Sequence, residues 1–322
     1  MQSAARTLVI LGTGGTIAGR ASSPNDDVSY VSAALPVAAL VDSLETPTGF
    51  ALESEQVAQL DSKDMDFATW RRLTVRAASH LAREEVAALI VTHGSDTLEE
   101  TAYFLQRVLA PRKPLVLTAA MRPATSAQAD GPQNLRDSLL VAATAGARGV
   151  VVVVAGAVHA GREVRKVHPQ RADAFASGDA GPLAHVASGR VRIERPWPDE
   201  GAAFDVALLP EDDSHWPWVA IVASGAGADP RDVRTLVDAG VDGLVVAATG
   251  SGTIHHALEA PLREAAARGC AVLRATRCLA GTIIDSAAGK ADALPSAGAL
   301  TPQQARVELI IRLLARRASP RG

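Results

Sequence analysis

Two glycine-rich stretches of this sequence carry hydroxyls and a carboxylate where chemistry could be done. The first is LVILGTGGTIAGR, residues 8–20, an apolar run that breaks into glycines and two threonines, Thr13 and Thr16. The second is VTHGSDTLEE, residues 91–100, where His93, Gly94, Ser95 and Asp96 follow directly on another apolar run. A third residue is marked by rarity. Of 32 basic residues only four are lysine, and one of them, Lys166, lies inside the arginine-rich segment GREVRKVHPQR. A lysine amine can handle a proton when its surroundings favour the neutral form, and a guanidinium cannot.

Phosphate binding fits the first stretch poorly. A dinucleotide fingerprint started at Gly12 puts Ile17 where the third glycine belongs, and a P-loop started at Gly14 meets Arg20 and Ala21 where lysine and a hydroxyl are needed. Two readings remain open. The threonines can serve a tight turn, or Thr16 can present its hydroxyl at the carboxyl end of a strand, with nearby backbone N–H groups facing a developing oxyanion. In the second stretch, Asp96 with Glu99, or Thr97 with Glu100, would make a capping box. That accounts for one acid and one hydroxyl. The remaining groups suit a polar substrate: Ser95 to orient water, and Asp96 to hold a cationic amino group beside a helix N-terminus.

The elements that must position these residues read as α/β. Near-continuous apolar runs at 7–11, 88–93, 114–119, 149–156, 218–224, 243–248 and 271–276 match strands buried on both faces of a parallel sheet. Between them DTLEETAYFLQRVL places Leu98, Ala102, Leu105 and Leu109 on one helical face, and PRDVRTLVDAG opens with proline and closes with glycine. The expected fold is two-domain α/β: a larger N-terminal domain with a mixed, mostly parallel sheet between helices, and a smaller C-terminal domain with a parallel sheet flanked by helices. The stretch 189–217 is rich in proline and acids, so the expected organisation is an N-terminal domain over 1–190, a linker over 191–217 and a C-terminal domain over 218–322.

Bulk properties exclude several classes. A formal net charge of −3 gives no basic surplus for nucleic acid. No window has the ~18 apolar residues of a membrane span, and the first residues lack a secretory-signal pattern, so the expected location is the cytoplasm. Cys270 and Cys278 make no disulfide framework and are expected to be buried thiols, and the histidines show no metal-ligand spacing with them.

With both clusters in view, the sequence resembles the bacterial-type L-asparaginase and glutaminase-asparaginase family over nearly its whole length. The resemblance rests on TGGTIAG (13–19), DSKDM (61–65), VTHGSDTLEETAYFL (91–105), AAMRPATSAQADGPQNL (119–135) and GREVRK (161–166). It implies a two-domain amidohydrolase that releases ammonia from a side-chain amide through a covalent acyl-enzyme, with no metal and no cofactor. It implies that Thr16 is the nucleophile, that Tyr30 on a mobile loop assists it, and that Ser95, Asp96 and Lys166 form a second triad. Ser62 then binds the substrate α-carboxylate, Gly94 lines the site, and the Ala120 carbonyl faces the amide. It also implies a homotetramer or homodimer, with the C-terminal domain contributing to an active site at the dimer interface.

The sequence departs from the family pattern at three places. Ser95 stands where threonine is usual, which keeps the hydroxyl and loses a methyl. Lys63 replaces a neutral amide and could meet the substrate carboxylate. The position of a partner-subunit glutamate falls near Ala288, with Asp285 the closest acid to substitute for it. The expected activity is hydrolysis of L-asparagine to aspartate and ammonia. The alternatives are a broader amidase acting on glutamine or another side-chain amide, and a non-catalytic amino-acid-binding protein.

Overall fold

Uninterrupted apolar sequence becomes buried strand at the centre of the first unit, and Thr16, Ser95 and Asp96 follow the ends of two such strands. The computed structural model describes residues 6–42, 44–199, 204–284 and 294–318. The chain divides into two units, one ending at Val206 and the other beginning at Ala207.

The first unit opens with β1 (Arg6–Gly14), a short hairpin of β2 (Arg20–Ala21) and β3 (Tyr30–Val31), and α1 (Val37–Val41). There follow β4 (Phe50–Leu60), α2 (Phe67–Ala82), β5 (Val86–Thr92), α3 (Leu98–Leu109), β6 (Pro114–Thr118), α4 (Gly131–Ala142) and β7 (Gly149–Val154). β8 (Ala157–Ala160), a second small hairpin of β9 (Arg165–Lys166) and β10 (Phe175–Ala176), then β11 (Ala184–Ala187) and β12 (Arg190–Ile193) complete it. The eight-stranded sheet runs β12-β11-β8-β7-β6-β5-β1-β4. From β4 through β1, β5 and β6 to β7 the pairing is parallel, and from β7 to β12 it is antiparallel. The segment taken as a linker from residue 191 therefore begins inside a strand of this sheet.

Leu8 to Leu11 of β1 and Leu89 to Val91 of β5 have no exposed surface, as two-sided burial requires. The order β4-β1-β5 has a consequence for function. The chain leaves β1 for β4 on one side and returns to β5 on the other, so the carboxyl ends of β1 and β5 border a topological switch point, where open α/β sheets bind ligands.

The second unit is a three-stranded parallel sheet of β13 (Val219–Ala223), β14 (Gly243–Ala248) and β15 (Ala271–Thr276). Its helices are α5 (Pro230–Asp238), α6 (His256–Ala267) and α7 (Pro302–Ala318). Asp229 caps α5 by accepting from the Arg231 N–H, with proline at the first helical position. Cys270 is buried, whereas Cys278 is exposed, contrary to the expectation of two buried thiols; both are free. Among the described residues no helix is long and apolar enough to cross a membrane, and no cluster of side chains is arranged to hold a metal ion.

Candidate active site

Three strand ends converge at the switch point. Thr13 of β1 donates its hydroxyl to the Thr92 carbonyl of β5 at 2.9 Å, and Gly15 N–H donates to the Leu60 carbonyl of β4 at 2.9 Å. Gly15 has φ +80, and a Cβ there would overlap the backbone of Gly94. Glycine is thus required on the first loop both for its conformation and for its contact with the second.

Thr16 opens a single 3₁₀ turn, Thr16–Ala18, whose Ile17 is 1 % exposed and packs in the core with Ala120 and Leu135. With Ile17 anchored, the Thr16 hydroxyl faces a cavity of about 430 Å³. The Thr16 Oγ1 lies 2.7 Å from the Tyr30 Oη. Tyr30 reaches it from β3, paired opposite Ala21, and Gly19 leaves room: a Cβ there would stand 2.9 Å from the ring.

Across the cavity, Lys166 donates through Nζ to the Ser95 Oγ at 2.8 Å and to the Asp96 Oδ1 at 2.7 Å. Ser62, 2 % exposed, accepts the Asp96 N–H at 3.2 Å on its hydroxyl and the Thr97 hydroxyl at 2.8 Å on its carbonyl. The Ser62 oxygen is occupied as an acceptor, while its own proton is available to a ligand. Thr16, Tyr30, Ser62, Ser95, Asp96 and Lys166 all line this one cavity.

The other expected site residues take different places. Gly94 lies behind the wall, packed against Gly15 and Ser62. Ala120 is 1 % exposed within the core cluster. Lys63 pairs with Asp64 in solvent and does not face the cavity. Asp285 and Ala288 lie outside the described residues.

The capping-box reading of residues 96–100 does not hold for Asp96, Thr97 or Glu99. Thr97 is the N-cap but makes no side-chain cap, because its hydroxyl is taken by Ser62. Asp96 turns to Lys166, and Glu99 accepts the Lys166 N–H. Burial pushes the Glu99 carboxyl up to about 7, against the lowering effect of that hydrogen bond. Beneath it, His93 is fully buried, and burial pulls its imidazole down to about 4. The Gly94 carbonyl 2.7 Å from Nδ1 can only accept, so Nδ1 carries the proton. Nε2 has no partner among the described residues.

Sequence reasoning missed several residues. Asp27, Asp61 and Arg122 also line the cavity, with Arg122 Nε 3.4 Å from Asp27 Oδ2. Asp130 accepts the N–H groups of Met121 and Arg122 at 2.9 Å, and Asn134 donates to the Ala119 carbonyl at 2.9 Å, so together they fix the wall at Ala120. The segment AAMRPATSAQADGPQNL held the signal, since paired polar residues amid alanines at a helix start have a partner to find.

Comparison with known proteins identifies the family. Residues 7–199 match the family model of the asparaginase N-terminal domain, and residues 218–321 match that of the glutaminase/asparaginase C-terminal domain. The chain is 36 % identical to L-asparaginase 2 of Escherichia coli over 314 residues, covering 95 % of this chain and 88 % of that protein. It is 31 % identical to the glutaminase-asparaginase of Pseudomonas fluorescens over 315 residues, covering 95 % and 86 %. Among solved structures, the probable cytoplasmic L-asparaginase of Campylobacter jejuni superposes with a TM-score of 0.84 at 33 % identity, covering 96 % of this chain and 95 % of that one.

Proposed function

This chain belongs to the asparaginase family, and on that footing we propose that it hydrolyses L-asparagine to L-aspartate and ammonia through an ester on Thr16. The observation that carries the reading is the cavity itself. It holds a hydroxyl pair, Thr16 with Tyr30 at 2.7 Å, facing a preformed lysine–serine–aspartate group.

The proposed course needs two acyl transfers. Thr16 Oγ1 attacks the amide carbon, the C–N bond breaks, and the nitrogen leaves as ammonia carrying the proton that Thr16 gave up. Tyr30 is placed to take that proton in passing. Water then attacks the ester, releases aspartate and returns a proton to Thr16. Ser95, held by Lys166, orients groups at the reacting centre, and Lys166 with Asp96 supplies a route for the proton. The free proton of Ser62 suits the substrate α-carboxylate. Asp96 and Asp61, both on the cavity wall, suit its ammonium group.

Glutamine is the second substrate to consider, because a glutaminase-asparaginase is among the relatives. Ammonia release from asparagine, glutamine and D-asparagine by wild type and Thr16→Val tests both readings. We expect turnover of asparagine by the wild type and none by the variant; asparagine turnover unchanged in the variant would overturn the threonine mechanism. We also propose the cytoplasm as the location, in line with the Campylobacter neighbour, and a homotetramer or homodimer as the assembly. Light scattering of the purified chain checks the second point.

A further inference from the structure

Lys166 sits on a strand of two residues, and so short a strand cannot by itself hold a long side chain to a productive position. β9 and β10 share only the pairs Lys166–Phe175 and Arg165–Ala176, and the ladder is extended by Val167 N–H donating to the Ala174 carbonyl at 2.7 Å. The Lys166 N–H is not part of that exchange. It points instead to α3, where Glu99 Oε2 accepts it.

Glu99 lies in the first turn of α3, three residues after Asp96 and four after Ser95. Lys166 is therefore tied to one five-residue segment at both its ends: the backbone to Glu99, the ammonium to Ser95 and Asp96. Glu99 is 9 % exposed and does not border the cavity, so it does not meet the substrate. A buried carboxyl is costly to keep. A backbone N–H needs only one well-placed acceptor atom, so the reach and direction of the Glu99 oxygen are what the contact uses.

Resting on the proposed acyl-enzyme reading, we propose that Glu99 is a positioning residue: by clamping the Lys166 peptide N–H to the start of α3 it sets the Lys166 amine against Ser95 and Asp96. The clamp works through geometry. Without it the two-residue hairpin can slide relative to α3, and a displacement of about 1 Å at a catalytic group costs on the order of a hundredfold in rate.

The test compares wild type with Glu99→Gln, Glu99→Asp and Glu99→Ala in the full chain, by steady-state ammonia release from asparagine and thermal melting. Glu99→Gln keeps an acceptor at the same reach and is expected to retain kcat within about threefold. Glu99→Ala is expected to lose about a hundredfold in kcat with KM changed less than about threefold. Glu99→Asp, which draws the acceptor back by one methylene, is expected to fall between them and carries the test if the alanine variant does not fold. A purely structural role would lower the melting temperature while the folded protein kept its kcat. Wild-type kcat in folded Glu99→Asp and Glu99→Ala, or a change confined to KM, would overturn the clamp. Absence of ammonia release from the wild type would instead overturn the functional reading on which the clamp rests.

Discussion

On the β1 side of the cavity, Thr16 meets Tyr30 through a hydrogen bond of 2.7 Å, and Tyr30 stands on a two-residue strand that follows the exposed segment 22–29. On the β5 side, Lys166 touches Ser95 and Asp96 through its amine and Glu99 through its backbone, while Ser62 accepts from both Asp96 and Thr97. The first side joins the nucleophile to its partner through one hydrogen bond from a two-residue strand. The second is braced by α3, by the turn Ser62–Asp64 and by the β9–β10 hairpin. The two walls thus differ in how firmly their reactive groups are tied to the fold.

The sharpest way to break this comparison is at the nucleophile. Thr16→Val should cut kcat by about four orders of magnitude or more, since it removes the proposed nucleophile; ammonia assays with folded variant check it. Lys166→Met attacks the braced side and should lose about 10³–10⁴ in kcat, the upper part of the range usual for a proton-handling group. Tyr30→Phe removes the hydroxyl that Tyr30 sets against Thr16. Its loss should be smaller, about a hundredfold, and should fall on kcat more than on KM. Equal losses for Lys166→Met and Tyr30→Phe would argue that the walls do not differ as described.

The braced side also has a pH signature in stability. His93 is held near 4 when folded, below the about 6.5 of an unfolded histidine. The unfolded chain therefore takes up a proton first on acidification. The stability this group gives is complete above about 6.5 and is lost as pH falls toward about 4. Glu99 has the opposite sign. Its carboxyl is raised to about 7 from about 4.3, so the unfolded chain ionises first and stability declines as pH rises through that window. Glu99→Gln should thus gain a few degrees of melting temperature relative to wild type between pH 5 and pH 8. A difference that does not vary with pH would contradict the burial of that charge. The smallest effect belongs to Lys63→Gln. Its ammonium is paired with Asp64 in solvent, so the melting temperature should stay unchanged and kcat/KM should shift by less than about threefold.

The elements that sequence reading found lie under continuous apolar runs. β1, β5, β6, β7 and β14 are buried on both faces, while β13, at the edge of its sheet, keeps the apolar run but exposes Ile221. β4 escaped notice because it is the sheet's outer strand. Its sequence FALESEQVAQL mixes polar with apolar residues and is half exposed, and only its pairing with β1 makes it a strand. The cavity residues Thr16, Tyr30, Ser62, Ser95, Asp96 and Lys166 were legible as motifs at strand ends and by resemblance. Glu99 was misread because a helix-start acid usually answers its own N-cap; here its partner is 67 residues away. Lys63 was read from its motif position alone, and the pattern gave no sign of the ion pair with Asp64 that it makes.

The central claim is the ester on Thr16, and it is tested most directly by catching it. Wild-type enzyme turning over asparagine is quenched with acid at a series of millisecond times, digested, and its peptides mapped by mass. An aspartyl adduct on the peptide containing Thr16, rising and decaying with ammonia release and absent in Thr16→Val, is the predicted result. Ammonia release with the Thr16 peptide unmodified at every time, or an adduct carried by Ser95, would contradict it.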